Sequence, residues 1–207
     1  MLDSRACPQV GAPLLRADDP RLLTGRGRYV DDLLFPRLVH VAFVRSVHAH
    51  ALIGGLELDA ARRAPGVVAV LTGEDTRGLC KPCRGVLLHY QGMKTGVMLP
   101  LAVERVRYVG EPVVAIAAET RAAAEDAAAR VRVEWTPQPA VLSPEAAVAP
   151  GAPLIHAELG DNIIYDTRLA GGDAAGALGG AHRVWRRRFT TGRPSVRAIA
   201  QAAMSSW

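Results

Sequence analysis

Aromatic residues are scarce: three Phe, four Tyr and three Trp make up 5% of a 207-residue chain. A core must therefore be filled by Ala, Val and Leu, and the hydrophobic share of 49% provides for one. Cysteine is scarcer still. Cys7, Cys80 and Cys83 are too few for a disulfide framework in a chain this long. No apolar run reaches the roughly 18–20 residues that a membrane-spanning helix requires. The opening residues MLDSRACPQVGAP carry Asp3 and Arg5 and lack the apolar region of a secretory signal, so a cytoplasmic protein is expected. Neither charge sign dominates: 25 basic against 20 acidic residues leave +5, spread along the chain, which permits an acidic partner without demanding nucleic acid. No repeat or low-complexity tract is evident. Gly25-Arg26-Gly27 begins like a dinucleotide fingerprint, but Arg28-Tyr29-Val30-Asp31-Asp32 follows, with neither a third glycine nor a helix.

What is present is organised around Val103–Trp135. Val103 to Val109 reads as extended chain, and Gly110-Glu111-Pro112 punctuates it. Val113-Val114-Ala115-Ile116-Ala117 is a short continuous apolar run, which suits a strand covered on both faces. Thr120 is placed to cap a helix over 121–130 whose one face holds Ala123, Ala124, Ala127, Ala128 and Val131. Asp126 and Arg130 stand four apart in the favourable order. Val131, Val133 and Trp135 then alternate with Arg132 and Glu134, a strand with one exposed face that Pro137 and Pro139 end. The stretch is scaffold, without reactive groups.

Before it, residues 1–19 read as an arm. A looping lead-in brings Tyr29-Val30 into a strand, and Leu38–Ile53 reads as one strand with Val39, Val41 and Phe43 on one face. Leu58–Ala64 predicts a short helix. Val67–Leu71 predicts a buried strand closed by Thr72-Gly73-Glu74-Asp75, and residues 76–100 a long irregular loop. After Trp135, residues 136–154 read as linker, with extended pieces at Leu154–His156 and Asn162–Tyr165. Asp173–Ala181 has helical alanine content weakened by Gly176, Gly179 and Gly180, and Arg183–Phe189 predicts a strand. One compact unit is expected over 20–135, and a second, incomplete one over 155–207.

Four stretches occur in an order and spacing that resemble a known family: GAPLLRADDPRLLTGRGRYVDD, HVAFVRSVHAHALI, APGVVAVLTGEDT and RVRYVGEPVVAIAAETRAAAEDAAARVRVEW. Together they resemble the N-terminal part of the molybdenum-binding large subunit of the xanthine dehydrogenase, aldehyde oxidase and carbon-monoxide dehydrogenase family. The resemblance implies an α+β fold, the α/β-hammerhead, over 20–135. It also implies the start of a molybdopterin-binding domain from about 155, marked by Asn162 and by Gly172-Asp173-Ala174-Ala175 before His182-Arg183-Val184. Where the family continues through a Met-Glu-Pro-Arg type segment, this chain has Pro194-Ser195-Val196-Arg197 and stops at Trp207, which reads as a truncated or frameshifted large subunit. The family's enzymes insert an oxygen atom from water into a C–H bond of an aldehyde or N-heterocycle, or oxidise carbon monoxide. They do so at a molybdenum–molybdopterin centre, and electrons leave through iron–sulfur clusters to FAD on partner domains or subunits. The groups that perform this chemistry lie in regions this chain lacks. No catalytic, cofactor-binding or metal-ligating residue is carried over, and the fragment is expected to bind no cofactor itself.

Four groups invite a reactive reading and resist it. Cys80-Lys81-Pro82-Cys83 is a lone CxxC with His89 as a third ligand and no fourth, against the four a structural site needs. His48-Ala49-His50 sets two imidazoles on one strand face, but within the family signature they read as residues that satisfy backbone groups at a strand end. Glu111 sits between Gly110 and Pro112 with no nucleophile nearby. Arg183–Phe189 mixes Arg with Trp185 and Phe189, yet as a strand its faces alternate and suit a solvated edge or subunit contact. The leading reading is an inactive fragment of a molybdenum hydroxylase large subunit. It would be partnered by iron–sulfur and flavin subunits or by the missing C-terminal part, with no nucleic acid and no membrane span. The alternative is a stand-alone hammerhead module that docks onto such subunits. A small metal- or nucleic-acid-binding protein is weaker, since the four-stretch pattern leaves it unexplained.

Overall fold

The computed structural model describes residues 11, 13, 15–83 and 90–189. They fall into two compact units. One draws on residues up to Pro36 and from Trp185 onward, the other on Arg37–Val184.

The first unit contains α1 (Asp19–Leu23), with Pro20 in its first turn, where a missing N–H costs nothing. Arg21 donates to Asp18 at 3.2 Å. The strand expected to begin at Tyr29-Val30 does not form; Val30–Asp32 is a 3-10 turn. Its cause is local, since the Asp32 carboxylate accepts the Tyr29 N–H at 2.8 Å and closes the chain on itself.

The second unit is built on two three-stranded antiparallel sheets. Strands β1 (His40–Arg45), β5 (Pro112–Ala118) and β3 (Val67–Thr72) form the first in the order β1-β5-β3. Strands β4 (Arg105–Val106), β2 (Ala51–Glu57) and β6 (Arg132–Pro137) form the second in the order β4-β2-β6. The single strand expected over Leu38–Ile53 is thus two, assigned to different sheets. Ser46 makes the break. Its hydroxyl donates to the His48 carbonyl at 2.8 Å, and its backbone N–H donates to the Glu111 carbonyl at 2.9 Å. The Gly110 N–H donates back to the Ser46 carbonyl at 2.8 Å. A buried serine that takes backbone bonds from two loops turns the chain out of one sheet and into the other.

β5 is the centre, with Val113, Val114 and Ile116 fully buried. The short helices α2 (Asp59–Arg62) and α3 (Gly73–Arg77) flank β3. The first is shorter than the Leu58–Ala64 expected. The second was read as mere closure of the strand, although Thr72 caps it and takes the Asp75 carboxylate on its own hydroxyl at 2.7 Å. At Gly73 a Cβ would lie 2.3 Å from the Ala102 carbonyl oxygen, so this approach admits glycine alone.

α4 (Arg121–Ala128) forms where the periodicity placed it, with the Thr120 hydroxyl accepting the Ala123 N–H at 3.1 Å. Ala124 and Ala127 are its buried residues, and it lies against β1, β3, β5 and α2. Arg130 falls beyond the helix end, and no ion pair with Asp126 forms among the described residues. β6 alternates as expected, Val133 and Trp135 inward.

The extended reading of Val103–Val109 survives only at Arg105–Val106, because Gly110 takes φ +89° and turns the chain back to β5. Beyond β6 lie α5 (Pro144–Ala147), a 3-10 turn at Ala157–Leu159, and α6 (Ala174–Gly179), capped by the Asp173 side chain. Neither Leu154–His156 nor Asn162–Tyr165 becomes a strand, and Arg183–Phe189, read as a strand, forms none either. No neighbouring strand is supplied to them among the described residues, and an isolated strand has nothing to bond.

Because Ile116 is fully buried at the centre of the first sheet, Ile116→Ala should destabilise the unit by about 3 kcal/mol. Phe43→Ala, at a side chain 39% exposed, should cost under about 1 kcal/mol. Urea unfolding followed by circular dichroism measures both.

Candidate functional site

Charged side chains gather in one region of the second unit, where the loop at 90–111 meets residues 155–163. Lys94 donates its Nζ to Asp161 at 2.7 Å, and its backbone N–H reaches the Ile164 carbonyl at 2.8 Å. Arg107 Nε donates to the Ile155 carbonyl at 3.0 Å. Asn162 acts as a clasp: its Nδ2 donates to the Ala147 and Pro153 carbonyls, and its Oδ1 accepts the Ile155 N–H. Gly96 lies so close to the His156 ring that no side chain fits between them. His156 Nδ1 and Glu158 are 3.1 Å apart. The Lys94 hydrogen bond holds the Asp161 carboxyl below the ordinary aspartate range, and backbone hydrogen bonding first, then His156, lowers Glu158 likewise.

Beside this junction a cleft of about 160 Å³ is lined by Arg77, Glu104, Arg105, Arg107 and Glu111 among others. Several of its charged groups are engaged locally. Arg77 reaches both Glu74 and Glu104 at 3.3 Å, and Glu111 accepts the backbone N–H of Arg107. Burial first, and then the Glu111 carboxylate, raises the Tyr108 hydroxyl above its usual range. The arrangement closes loops onto one another. It presents no nucleophile beside a base, and no three His, Cys, Asp or Glu among the described residues stand close enough to hold a metal.

The groups singled out from the sequence are scattered. Cys80 is half-buried after α3, whereas Cys83 is exposed and bridged through its backbone to Met98. His89 and Cys7 lie outside the described residues. His48 and His50 do not share a strand face, since both belong to the turn that Ser46 creates. The His48 ring meets Trp135 edge-on at 5.6 Å, and His50 Nδ1 donates to the Pro139 carbonyl at 2.9 Å. That bond ties the start of β2 to the end of β6, and it places the hydrogen on Nδ1. Glu111 is a loop fastener. In the 183–189 segment Arg187 stacks over Trp185 at 5.9 Å. Sequence reasoning missed Lys94–Asp161, whose partners stand 67 residues apart without any local signal.

The Lys94–Asp161 pair gives a pH dependence of known sign. An aspartate whose folded pKa is depressed stabilises fully above its unfolded value, and that contribution is lost as pH falls through the folded value. Protection of the 90–98 backbone in hydrogen exchange should therefore fall on acidification below about pH 4. In Asp161→Asn it should already be low at pH 7 and should change less with acid.

The chain is similar to known proteins along most of its length. The model of the aldehyde oxidase and xanthine dehydrogenase a/b hammerhead domain matches residues 24–139. The nicotine 6-hydroxylase large subunit of Paenarthrobacter nicotinovorans is 39% identical over 186 residues, 89% of this chain and 22% of that protein. The carbon monoxide dehydrogenase large chain of Afipia carboxidovorans is 36% identical over 155 residues, 74% of this chain and 18% of that one. The crystal structure of quinoline 2-oxidoreductase from Pseudomonas putida 86 superimposes with a TM-score of 0.69 at 39% identity, over 75% of this chain and 20% of that chain. This chain thus spans about a fifth of the length of the proteins it matches. It belongs to the aldehyde oxidase and xanthine dehydrogenase family of molybdenum hydroxylase large subunits, and carries the α/β-hammerhead domain of that family over residues 24–139.

Proposed function

We propose that this chain is the hammerhead segment of a molybdenum hydroxylase large subunit and has no catalytic activity by itself. The observation that carries the reading is the match of 24–139 to the hammerhead domain of that family. In the assembled enzyme the chemistry would be insertion of a water-derived oxygen into a C–H bond of an N-heterocycle or aldehyde, or oxidation of carbon monoxide. Molybdenum bound through molybdopterin would supply it, and iron–sulfur and flavin groups on partner domains or subunits would take the electrons. Several charged groups that line the cleft beside Arg77 and Glu104 already bond one another, which supports a segment without a cofactor of its own. Our reading is therefore that the segment binds no cofactor and contributes packing surface to the remainder of the large subunit or to the other subunits. Within it we take 1–19 as an arm, 20–135 as the hammerhead, 136–154 as linker and 155–207 as the opening of the molybdopterin-binding domain, in a cytoplasmic protein.

The isolated chain should reduce no artificial electron acceptor with quinoline, nicotine, xanthine, an aldehyde or carbon monoxide. Elemental analysis after anaerobic, reducing purification should find no stoichiometric molybdenum, iron or zinc. A chimera in which its residues replace the matched region of the Paenarthrobacter nicotine 6-hydroxylase large subunit should retain molybdenum and hydroxylate nicotine. Turnover by the chain alone, or one zinc per chain abolished by Cys80→Ser, would overturn the reading.

A further inference from the structure

Among the described residues, the two faces of the first sheet are covered unequally, although Val113 is fully buried at one end of the more open face. α4 lies against one side of it. On the other, the register sets Val41 and Phe43 of β1 beside Ala117 and Ala115 of β5, and these beside Ala69 and Leu71 of β3. Val41 is 51%, Phe43 39% and Leu71 41% exposed. Side-chain size varies across the strip. β1 presents a bulky row, β5 a trough of alanines, and Leu71 a second wall, with the Arg45 guanidinium 5.1 Å above the Phe43 ring at one end.

The dimensions of the strip select its occupant. Three strands and five to six residues of each give about 14 Å by 18 Å, on the order of 250 Å². Separate macromolecules that bind stably bury about 800 Å² each, so the strip alone is too small to hold an independent subunit or a second copy. It matches the footprint of one helix, since about 12 helical residues span 18 Å. A contact of that size holds when its partner is tethered on the same polypeptide, where effective concentration replaces area. Large subunits of the family have such polypeptide to supply, because the match takes up 22% of the nicotine 6-hydroxylase large subunit.

We propose that this alanine trough seats one amphipathic helix from the part of the large subunit that lies outside this chain, and that it is not a docking face for the iron–sulfur or flavin subunits. The inference rests on the reading of the chain as a large-subunit segment. Its test uses the tagged chain as it is, co-produced either with the remainder of the Paenarthrobacter nicotine 6-hydroxylase large subunit or with the smaller subunits of that enzyme. The wild-type chain should capture the remainder. Ala117→Glu, in the trough, should lower that capture at least tenfold, and Phe43→Glu on the neighbouring strand should repeat the effect independently of β5. Asp126→Lys on the exposed side of α4 should leave it unchanged, and circular dichroism melts should show all three folded. Equal capture by Ala117→Glu and wild type overturns the proposal. So does loss of a smaller subunit while the remainder is kept, or a wild-type dimer that Ala117→Glu dissolves. If the wild-type chain captures neither remainder nor subunits, the large-subunit reading falls with it.

Discussion

Close approach without bulky side chains is the constraint on which the second unit depends. With few aromatic residues available, the core is closed by bringing backbones together rather than by filling space between them. Ala124 and Ala127 let α4 descend onto the first sheet, and Ala51, Ala61 and Ala64 perform the same service nearby. Gly73 lets α3 press on the Ala102 carbonyl. Such packing leaves little tolerance at Gly73, where an added Cβ would meet the Ala102 backbone. The larger residues Val113, Val114 and Ile116 are spared for the central strand of the first sheet and Val106 for an edge strand of the second, and all four are fully buried.

The same economy explains the polar architecture. Where apolar side chains thin out beyond β6, the chain is held by hydrogen bonds to backbone carbonyls. Asn162 gathers three backbone groups, Arg107 reaches Ile155, and Lys94 reaches both Leu159 and Asp161. A polar group used in this way is unavailable for chemistry. The absence of a reactive constellation among the described residues and the presence of an ordered set of loops are two consequences of one allocation. The matched region makes up about a fifth of the longer chains it resembles.

The positions of strand β5 and helix α4 were legible because their signals are local, although the apolar run read as covered on both faces leaves Ala115 and Ala117 only partly buried. An apolar run of strand length, a threonine cap and a 3.6-residue alanine stripe each need only a window of about ten residues. The boundary between β1 and β2 was not, because HVAFVRSVHAHALI alternates well enough to read as one strand. Its break is caused by the Glu111 carbonyl and the Gly110 N–H, which meet Ser46 from 65 and 64 residues away. Tyr29-Val30 failed as a strand for a nearer reason, the Asp32 carboxylate, which a propensity reading overlooks. Arg183–Phe189 had the alternation of a strand but no neighbour, and alternation alone forms no ladder.

Order, spacing and period are properties of the chain, and they were enough for the family and for the central strand–helix–strand unit. Which sheet each strand joins, how the 90–98 loop is fastened to 155–163, and the partial exposure of the first sheet's apolar strip among the described residues emerged with the folded chain. Those outcomes depend on groups dozens of residues apart, whose pairing is fixed by register and burial when the chain folds and by nothing in their immediate neighbours.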